Sequence, residues 1–282
     1  MKSILPAICL LIFPCLVFSA ENQAENILRH QRDSGGWPKN YDRESGRSEA
    51  EKKKLQDKKS TEDTTFDNGA THTEIRHLAK AFLKTGYQRY RKAAVKGIEF
   101  MLEAQYANGG WPQRFPKPSG YSAHITFNDG AMIGVMSTLR DIFRDKKAYP
   151  FVSDELRERC AKAVERGIPC ILKCQIVVRG KKTAWCTQHD EKTLVARKAR
   201  SYELPSISGA ESVGVVRFLM EIDEPSPESL PQSKEPFAGS TTPSSLESEK
   251  FGRKQRGRPR DGTKWSLKML SLHPSGPDST KS

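Results

Sequence analysis

The sequence has no long apolar run after its first 20 residues. No later stretch approaches the roughly 20 apolar residues that a membrane-spanning helix needs. At the amino terminus, an apolar run from Ile4 to Phe18 follows Lys2 and gives way to small residues ending at Ala20. This pattern is typical of a signal peptide, so we expect cleavage near Ala20, a secreted or periplasmic protein and no membrane association after cleavage.

Cysteine is scarce, and its spacing lacks the C-x-x-C pairs common in zinc sites. Two of the six cysteines, Cys9 and Cys15, lie in the signal region. The remaining four are Cys160, Cys170, Cys174 and Cys186. Zinc is therefore not expected. In an oxidising compartment the four residues allow one disulfide, or two.

Apolar periodicity is also missing from the carboxyl-terminal part of the chain. Residues 227–282 are rich in Ser, Pro, Gly, Lys and Arg and are predicted to form a disordered tail. The tail holds ten Lys or Arg against six Asp or Glu, so about two thirds of the net charge of +13 lies elsewhere. A basic domain over 21–226 suits a polyanionic partner, although an ordinary solvated surface explains the charge equally well.

What the sequence does contain is a repeat within residues 21–226. Residues 92–105 align with 162–175, and both windows space apolar residues at helical intervals. The loops at 31–39 and 105–113 share the order Gln, Gly-Gly, Trp, Pro. A repeated pattern of this kind predicts repeated helical units.

A second type of helix alternates with the first. It is introduced by Thr-Phe-Asp-Asn-Gly-Ala at 65–70 and by Thr-Phe-Asn-Asp-Gly-Ala at 126–131. Amphipathic helices are then predicted over residues 71–84, 130–144 and 210–222. The alternation predicts an all-α fold of about three helical hairpins that close into a ring or partial ring. Asp67 and Asp129 stand where helices begin, and N-capping alone would explain both residues.

Six motifs in this order resemble polysaccharide lyase family ten, the toroidal pectate lyases. They lie at 35–39, 65–71, 109–113, 127–132, 185–190 and 200–206. The resemblance implies an (α/α) toroid that cleaves polygalacturonate by β-elimination with Ca²⁺. Because the tail follows helix 210–222 where such a toroid has further elements, an incomplete C-terminal end of the toroid and loss of activity both stay open.

The resemblance also implies roles for individual residues. Asp67 and Asp129 are expected to hold Ca²⁺ at the substrate carboxylate, where the ion stabilises developing negative charge. Calcium takes six to eight oxygens, so substrate and water are expected to complete its shell. Arg200 occupies the position of the base, which needs a pKa lowered by the metal and neighbouring basic residues. Simple ion pairing of Arg200 with a substrate carboxylate is the alternative.

Further substrate-binding candidates surround these residues. They are Lys39, Asn68, the loop residues Gln188, His189 and Asp190, and the tryptophans Trp37 and Trp111. Lys39 is expected to pair with a uronate and Asn68 to hydrogen-bond substrate. His189 suits an orienting role better than that of a base. The two tryptophans suit sugar stacking and helix packing equally.

Two other classes of function compete with the lyase. Residues 252–260 contain Arg-Gly-Arg-Pro, which is similar to an AT-hook, a motif that binds narrow minor grooves of DNA. The export signal argues against DNA, so nucleic acid is not an expected partner. A non-catalytic pectin-binding protein keeps both aspartates and differs only in turnover. We expect a monomer.

Overall fold

The described part of the protein is mainly helical. The structure is a computed structural model that describes residues 22–45 and 47–222, so the predicted signal peptide and tail lie outside it. The α-helices are α1 (22–30), α2 (Glu49–Asp57), α3 (His72–Thr85), α4 (Gln88–Glu103), α5 (Ala131–Arg144), α6 (Asp154–Lys173) and α7 (Gly209–Ile222). Among the described residues, none of these helices is long and apolar enough to cross a membrane.

The helices form hairpins, as the alternating pattern predicts. Helix α3 packs against α4, α5 packs against α6, and α7 packs against α5. Gly86 ends α3 with φ of 71°, a left-handed conformation that glycine adopts without steric cost, and its N–H donates to Phe82 O at 2.7 Å. Ser153 begins α6 by accepting a hydrogen bond from Leu156 N. The predicted all-α architecture of repeated hairpins, of the toroidal type, is confirmed.

Two short antiparallel strand pairs lie between the helices. Strand β1 (Ile125–Thr126) pairs with β4 (Gln188–His189), and β2 (Val177–Val178) pairs with β3 (Lys181–Lys182). Beside the first pair, the N–H groups of Phe127 and Asn128 both donate to Thr187 O. The loop that follows α6 is thereby held next to the turn that precedes α5.

The tryptophans of the repeat bind the helices that precede them. Trp37 Nε1 donates to Ile27 O at 2.7 Å, and Trp111 Nε1 donates to Met101 O at 2.8 Å. Both indoles are fully buried, with 0% of their surface exposed. The prediction that Trp37 and Trp111 bind substrate was therefore wrong, because their rings pack in the core and offer no face to a sugar.

The glutamine of each repeat also makes an equivalent pair of contacts. Gln31 Nε2 donates to Gly35 O in its own loop and to Ala93 O in α4, both at 2.9 Å. Gln105 Nε2 donates to Gly109 O at 3.0 Å and to Ala163 O in α6 at 2.8 Å. Each glutamine therefore ties one loop to the next helix of its type, which is why the sequence repeats these residues in register.

The cysteines do not form the expected disulfide. Cys160, Cys170, Cys174 and Cys186 are free and buried. Cys170 lies in the last turn of α6, and Cys174 is the residue that caps the end of this helix. Burial raises the pKa of Cys160 to about 12, so this thiol behaves as a small apolar core residue.

Candidate active site

A polar cleft of about 460 Å³ lies where the turns before α3 and α5 meet the loop before α7. Among the residues that line it are Lys39, Asp67, Asp129, Gln188 and Arg200, all of which the sequence singled out. Lys39 and Arg200 are 161 positions apart in the sequence, so the fold brings distant motifs together at one cleft. The cleft therefore contains both carboxylate and cationic groups.

Asp67 is a buried carboxylate on a short 3-10 turn, Asp67–Gly69, immediately before α3. Its side chain is only 5% exposed. Oδ2 accepts a hydrogen bond from Lys39 Nζ, whereas Oδ1 is buried and has no hydrogen-bond partner. Neither oxygen caps α3, whose N-cap residue is Thr71. The capping explanation is therefore wrong for Asp67, and a buried carboxylate oxygen without a donor needs another role.

Asp129 occupies the equivalent turn, Asn128–Gly130, before α5. Its backbone has φ of 50°, and Asn128 Nδ2 donates to its Oδ2 at 2.7 Å. The Asp129 carboxyl group lies within hydrogen-bonding reach of Asp67. Partial burial raises the pKa of Asp129, the nearby Asp67 and Glu211 raise it further, and Lys39 opposes the rise. Asp129 does not cap α5 either, because the N-cap position belongs to Gly130.

Arg200 lies at the exposed rim of the cleft in a tight turn. Glu203 Oε1 accepts from Arg200 Nη2 at 2.5 Å, and Glu203 Oε2 accepts from Arg200 N at 3.0 Å. The guanidinium also stacks 5.1 Å from the centroid of the Tyr202 ring. The hydrogen bond and charge of Glu203 raise the pKa of Arg200, and the same pair lowers the pKa of Glu203 to about 2. The lowered pKa expected of Arg200 depends on a metal ion bound beside it, so it stays a prediction.

Of the three loop candidates at 188–190, one lines the cleft. Gln188 does so with a buried Oε1 that has no partner. His189 is fully buried: its Nδ1 donates to Leu194 O at 2.9 Å and its Nε2 accepts from Cys186 N at 3.1 Å. Burial lowers the pKa of His189, so the ring is a neutral orienting group inside the loop.

Asp190 folds back onto its own loop. Its Oδ1 accepts from the N–H groups of Lys192 and Thr193, at 3.0 and 2.9 Å, and the residue does not line the cleft. His189 and Asp190 were predicted to bind substrate together with Gln188, but neither lines the cleft. Both side chains are used to shape the loop that carries Gln188.

Asn68 lies beside the cleft and contacts a neighbouring loop. Its Nδ2 donates to Asn40 Oδ1 at 3.0 Å, and the residue is exposed. Its backbone has φ of 52°, a conformation that asparagine tolerates better than most residues. This bond uses one N–H of the amide and leaves its second N–H and its Oδ1 for a ligand. The substrate role of Asn68 stays a prediction.

Sequence reasoning missed several groups that the structure places here. Asn128 and Glu203 both lie inside motifs that the sequence identified, but neither contact lies within an α-helix, so helical spacing would not have predicted them. Tyr121 also lines the cleft, and it comes from a segment with no motif. No periodicity or spacing would have identified it.

A second acidic group lies apart from the aspartate pair. His124, Asp190 and Glu191 bring their ligand atoms within 4.8 Å of one another. His124 Nδ1 and Glu191 Oε2 already lie 3.0 Å apart, and Asp190 is held by its backbone contacts. Neither Asp67 nor Asp129 belongs to this group.

This architecture is similar to that of solved polysaccharide lyases. The chain is similar to the family 10 polysaccharide lyase from Cellvibrio cellulosa, with 36% identity, a TM-score of 0.61 and 73% of this chain covered against 63% of that one. An Asp-to-Ala mutant of that lyase in complex with trigalacturonic acid gives 37% identity, a TM-score of 0.63 and coverage of 73% and 64%. This chain thus spans less than two thirds of both structures.

A match to a protein-family model shows the family of this chain. The pectic acid lyase family profile matches residues 31–233, which is well over half of the chain. The chain therefore belongs to the pectic acid lyase family. No curated protein matches it in a direct search.

Proposed function

We propose that this protein is a calcium-dependent pectate lyase that cleaves polygalacturonate by β-elimination. The observation that carries the proposal is the pair of carboxylates, Asp67 and Asp129, in one cleft with Lys39 and Arg200. Membership of the pectic acid lyase family and the similarity to a lyase solved with trigalacturonic acid support the same substrate class.

The reaction removes the proton from C5 of a galacturonate residue. The electron pair of that C–H bond forms the C4=C5 double bond while the C4–O bond breaks, and the departing oxygen takes up a proton. A base is needed at C5, and negative charge develops on the C6 carboxylate as the proton leaves. The cleft must therefore supply a proton acceptor and positive charge close together.

The donor set of the two turns fits a hard divalent cation. Asp67 and Asp129 bring carboxylates together, and Asp67 Oδ1 is a buried acceptor without a donor. Calcium prefers oxygen ligands of this kind. When bound, it would act as a Lewis acid that stabilises the charge on the substrate carboxylate. Asn128 fixes the Asp129 carboxylate by its hydrogen bond to Oδ2.

Arg200 is the proposed base. It lies on the same cleft as the aspartates, within a turn that fixes its backbone by the bond from its N–H to Glu203. Because its guanidinium is paired with Glu203, proton abstraction requires that this pair opens or weakens. Pairing of Arg200 with a uronate carboxylate is the competing role, and it makes a different prediction about pH dependence, given in the Discussion.

Lys39, Gln188 and Asn68 are the proposed substrate-binding groups. Lys39 presents an ammonium at the rim of the cleft, where 36% of its side chain is exposed, and Gln188 presents an amide with a free oxygen. We also propose export after cleavage near residue 20, as the family and the amino-terminal pattern suggest, and a monomeric protein.

Ultraviolet absorbance tests the reaction directly. Elimination leaves a conjugated unsaturated uronate that absorbs in the ultraviolet, whereas hydrolysis does not. We expect absorbance to rise with polygalacturonate and calcium and to stop on addition of a chelator. Binding of polygalacturonate without any rise in absorbance would favour a non-catalytic pectin-binding protein instead.

A further inference from the structure

Lys39 forms an ion pair inside the carboxylate site. Its Nζ contacts Asp67 Oδ2, and its charge also acts on Asp129. The second oxygen of Asp67 is buried and has no hydrogen-bond partner. The Lys39 ammonium is therefore the counter-charge of both carboxylates. It occupies the place where a divalent cation is proposed to bind.

Contacts on both sides of Lys39 anchor the loop that carries it. Before it, Trp37 N donates to Thr71 Oγ1 at 3.0 Å, and after it the Asn40 side chain accepts from Asn68 Nδ2 at 3.0 Å. Arg43 then pairs with the buried Glu74 at 2.6 Å. The Lys39 side chain projects from this anchored loop with about a third of its surface in solvent, so its ammonium can leave Asp67 without any change in the fold.

We infer that Lys39 is an exchangeable counter-ion, whose ammonium leaves Asp67 when a divalent cation binds and then pairs with a uronate carboxylate. The inference rests on the proposed function for its substrate half and deepens it by linking cation binding to substrate binding. Both a divalent cation and an ammonium seek the same carboxylate oxygens, and they repel each other at contact distance. The released ammonium is then the nearest cationic group for an anionic sugar.

The net charge of the site favours binding of the cation before the uronate. Two carboxylates and one ammonium carry −1, and a divalent cation changes the group to +1, which attracts a uronate. Without Lys39 the same group with the cation is neutral and attracts a uronate less. The other charged groups around the cleft are Arg200 and Glu203, which neutralise each other, and Glu211, which accepts from Ser208 Oγ. They remain unchanged when Lys39 is replaced.

Replacing Lys39 with methionine should therefore change cation and substrate affinity in opposite directions. We expect Lys39→Met to bind Ca²⁺ about tenfold more tightly, measured by calorimetry with calcium chloride alone, because a competing charge is removed. At saturating calcium, KM for polygalacturonate should rise about tenfold, with a smaller change in kcat. The control is Lys117→Met, which removes a lysine paired with Glu62 outside the cleft and should change neither value. A loss of both affinities in Lys39→Met would show a structural role and overturn the inference.

Chemical labelling of Lys39 in the wild-type protein tests the exchange itself. An amine-reactive reagent, with mass spectrometry to quantify modification, should label Lys39 weakly in chelator, several-fold more with calcium, and weakly again with calcium and trigalacturonic acid. Unchanged labelling on calcium binding, or no calcium binding at all, would overturn the exchange. If Lys39 responds to calcium yet polygalacturonate is not eliminated, only the proposed function fails, so the two failures are distinguishable.

Discussion

Glu203 holds Arg200 at two points, since its Oε1 accepts from guanidinium Nη2 and its Oε2 accepts from the backbone N–H. The two residues lie three positions apart in a tight turn, and both line the cleft. The contact fixes the position of Arg200 and at the same time stabilises its protonated form. Arg200 can act as a base only if it loses a proton, and Glu203 opposes that loss.

Replacing Glu203 with glutamine should shift the pH dependence of turnover to lower pH. Glu203 raises the pKa of Arg200, so removing its negative charge lowers that pKa and increases the deprotonated fraction at a given pH. Glutamine keeps an oxygen that can accept from Arg200 N. The measurement is the rate of absorbance change across neutral to alkaline pH, with Glu191→Gln as the control. A change in KM with an unshifted profile would favour substrate pairing by Arg200.

Arg200→Lys should lose turnover by about a hundredfold, because lysine keeps the charge but not the guanidinium geometry. Arg197→Lys is the matched control. The Arg197 guanidinium lies 3.6 Å from Asp190, which does not line the cleft. We expect near wild-type rates for it under the same assay. Equal losses in both variants would contradict the assignment of Arg200.

Replacement of either aspartate in the cleft should abolish calcium-dependent turnover without unfolding the protein. Neither Asp67 nor Asp129 caps a helix, so Asp67→Asn and Asp129→Asn should retain the helix content seen by far-ultraviolet circular dichroism. Turnover should fall by about a hundredfold or more, the usual cost of losing one group that stabilises developing charge. Asp154→Asn, on the exposed start of α6, is the control. Retained turnover in either aspartate variant would exclude it from the cation site.

The sequence predicted local features better than long-range ones. Helices over 71–84, 130–144 and 210–222 were predicted almost to the residue, because apolar spacing and the glycines before them are local signals. The contact between Lys39 and Asp67, 28 positions apart, has no such signal. Sequence reasoning placed both residues at the site through family resemblance, but it did not pair them.

The misassigned residues show the same limit. Residue type alone made Trp37 and Trp111 equally suitable for sugar stacking and for helix packing. Their hydrogen bonds to carbonyl groups of the preceding helices show that both pack in the core. His189 and Asp190 follow the cleft residue Gln188 directly, yet their side chains turn inward to hold the loop. Neighbours in a loop need not share a face, and spacing cannot reveal which of them the loop uses for itself.

Two helical glycines should respond oppositely to alanine. At Gly97 in α4, an added Cβ would lie 2.8 Å from Trp37 Cζ3 and from Ile75 Cγ1, both in the core. Gly97→Ala should therefore destabilise the protein by about 1–3 kcal/mol through overpacking. At Gly214 in α7 nothing lies within 4 Å, so Gly214→Ala should stabilise it by about 0.5–1 kcal/mol. Urea unfolding measures both, and similar effects at the two sites would contradict the tight helix contact at Gly97.

The last prediction concerns stability in acid. Burial lowers the pKa of His72 to about 4, and its Nε2 has no hydrogen-bond partner. The unfolded chain therefore binds a proton at this residue between about pH 6.5 and pH 4 that the folded protein does not, so the free energy of unfolding falls as pH falls through this range. The difference amounts to roughly 3 kcal/mol.

His72→Gln tests this sign, because glutamine is neutral throughout the range. We expect the variant to lose less stability than the wild type between pH 7.5 and pH 4.5 in urea unfolding, even if it is less stable at both. Other buried histidines, including His30 and His189, also have lowered pKa values, so part of the acid dependence should remain. If the wild type and the variant lose the same free energy of unfolding between the two pH values, His72 takes up its proton in the folded protein as readily as in the unfolded chain. That result would contradict the burial of His72.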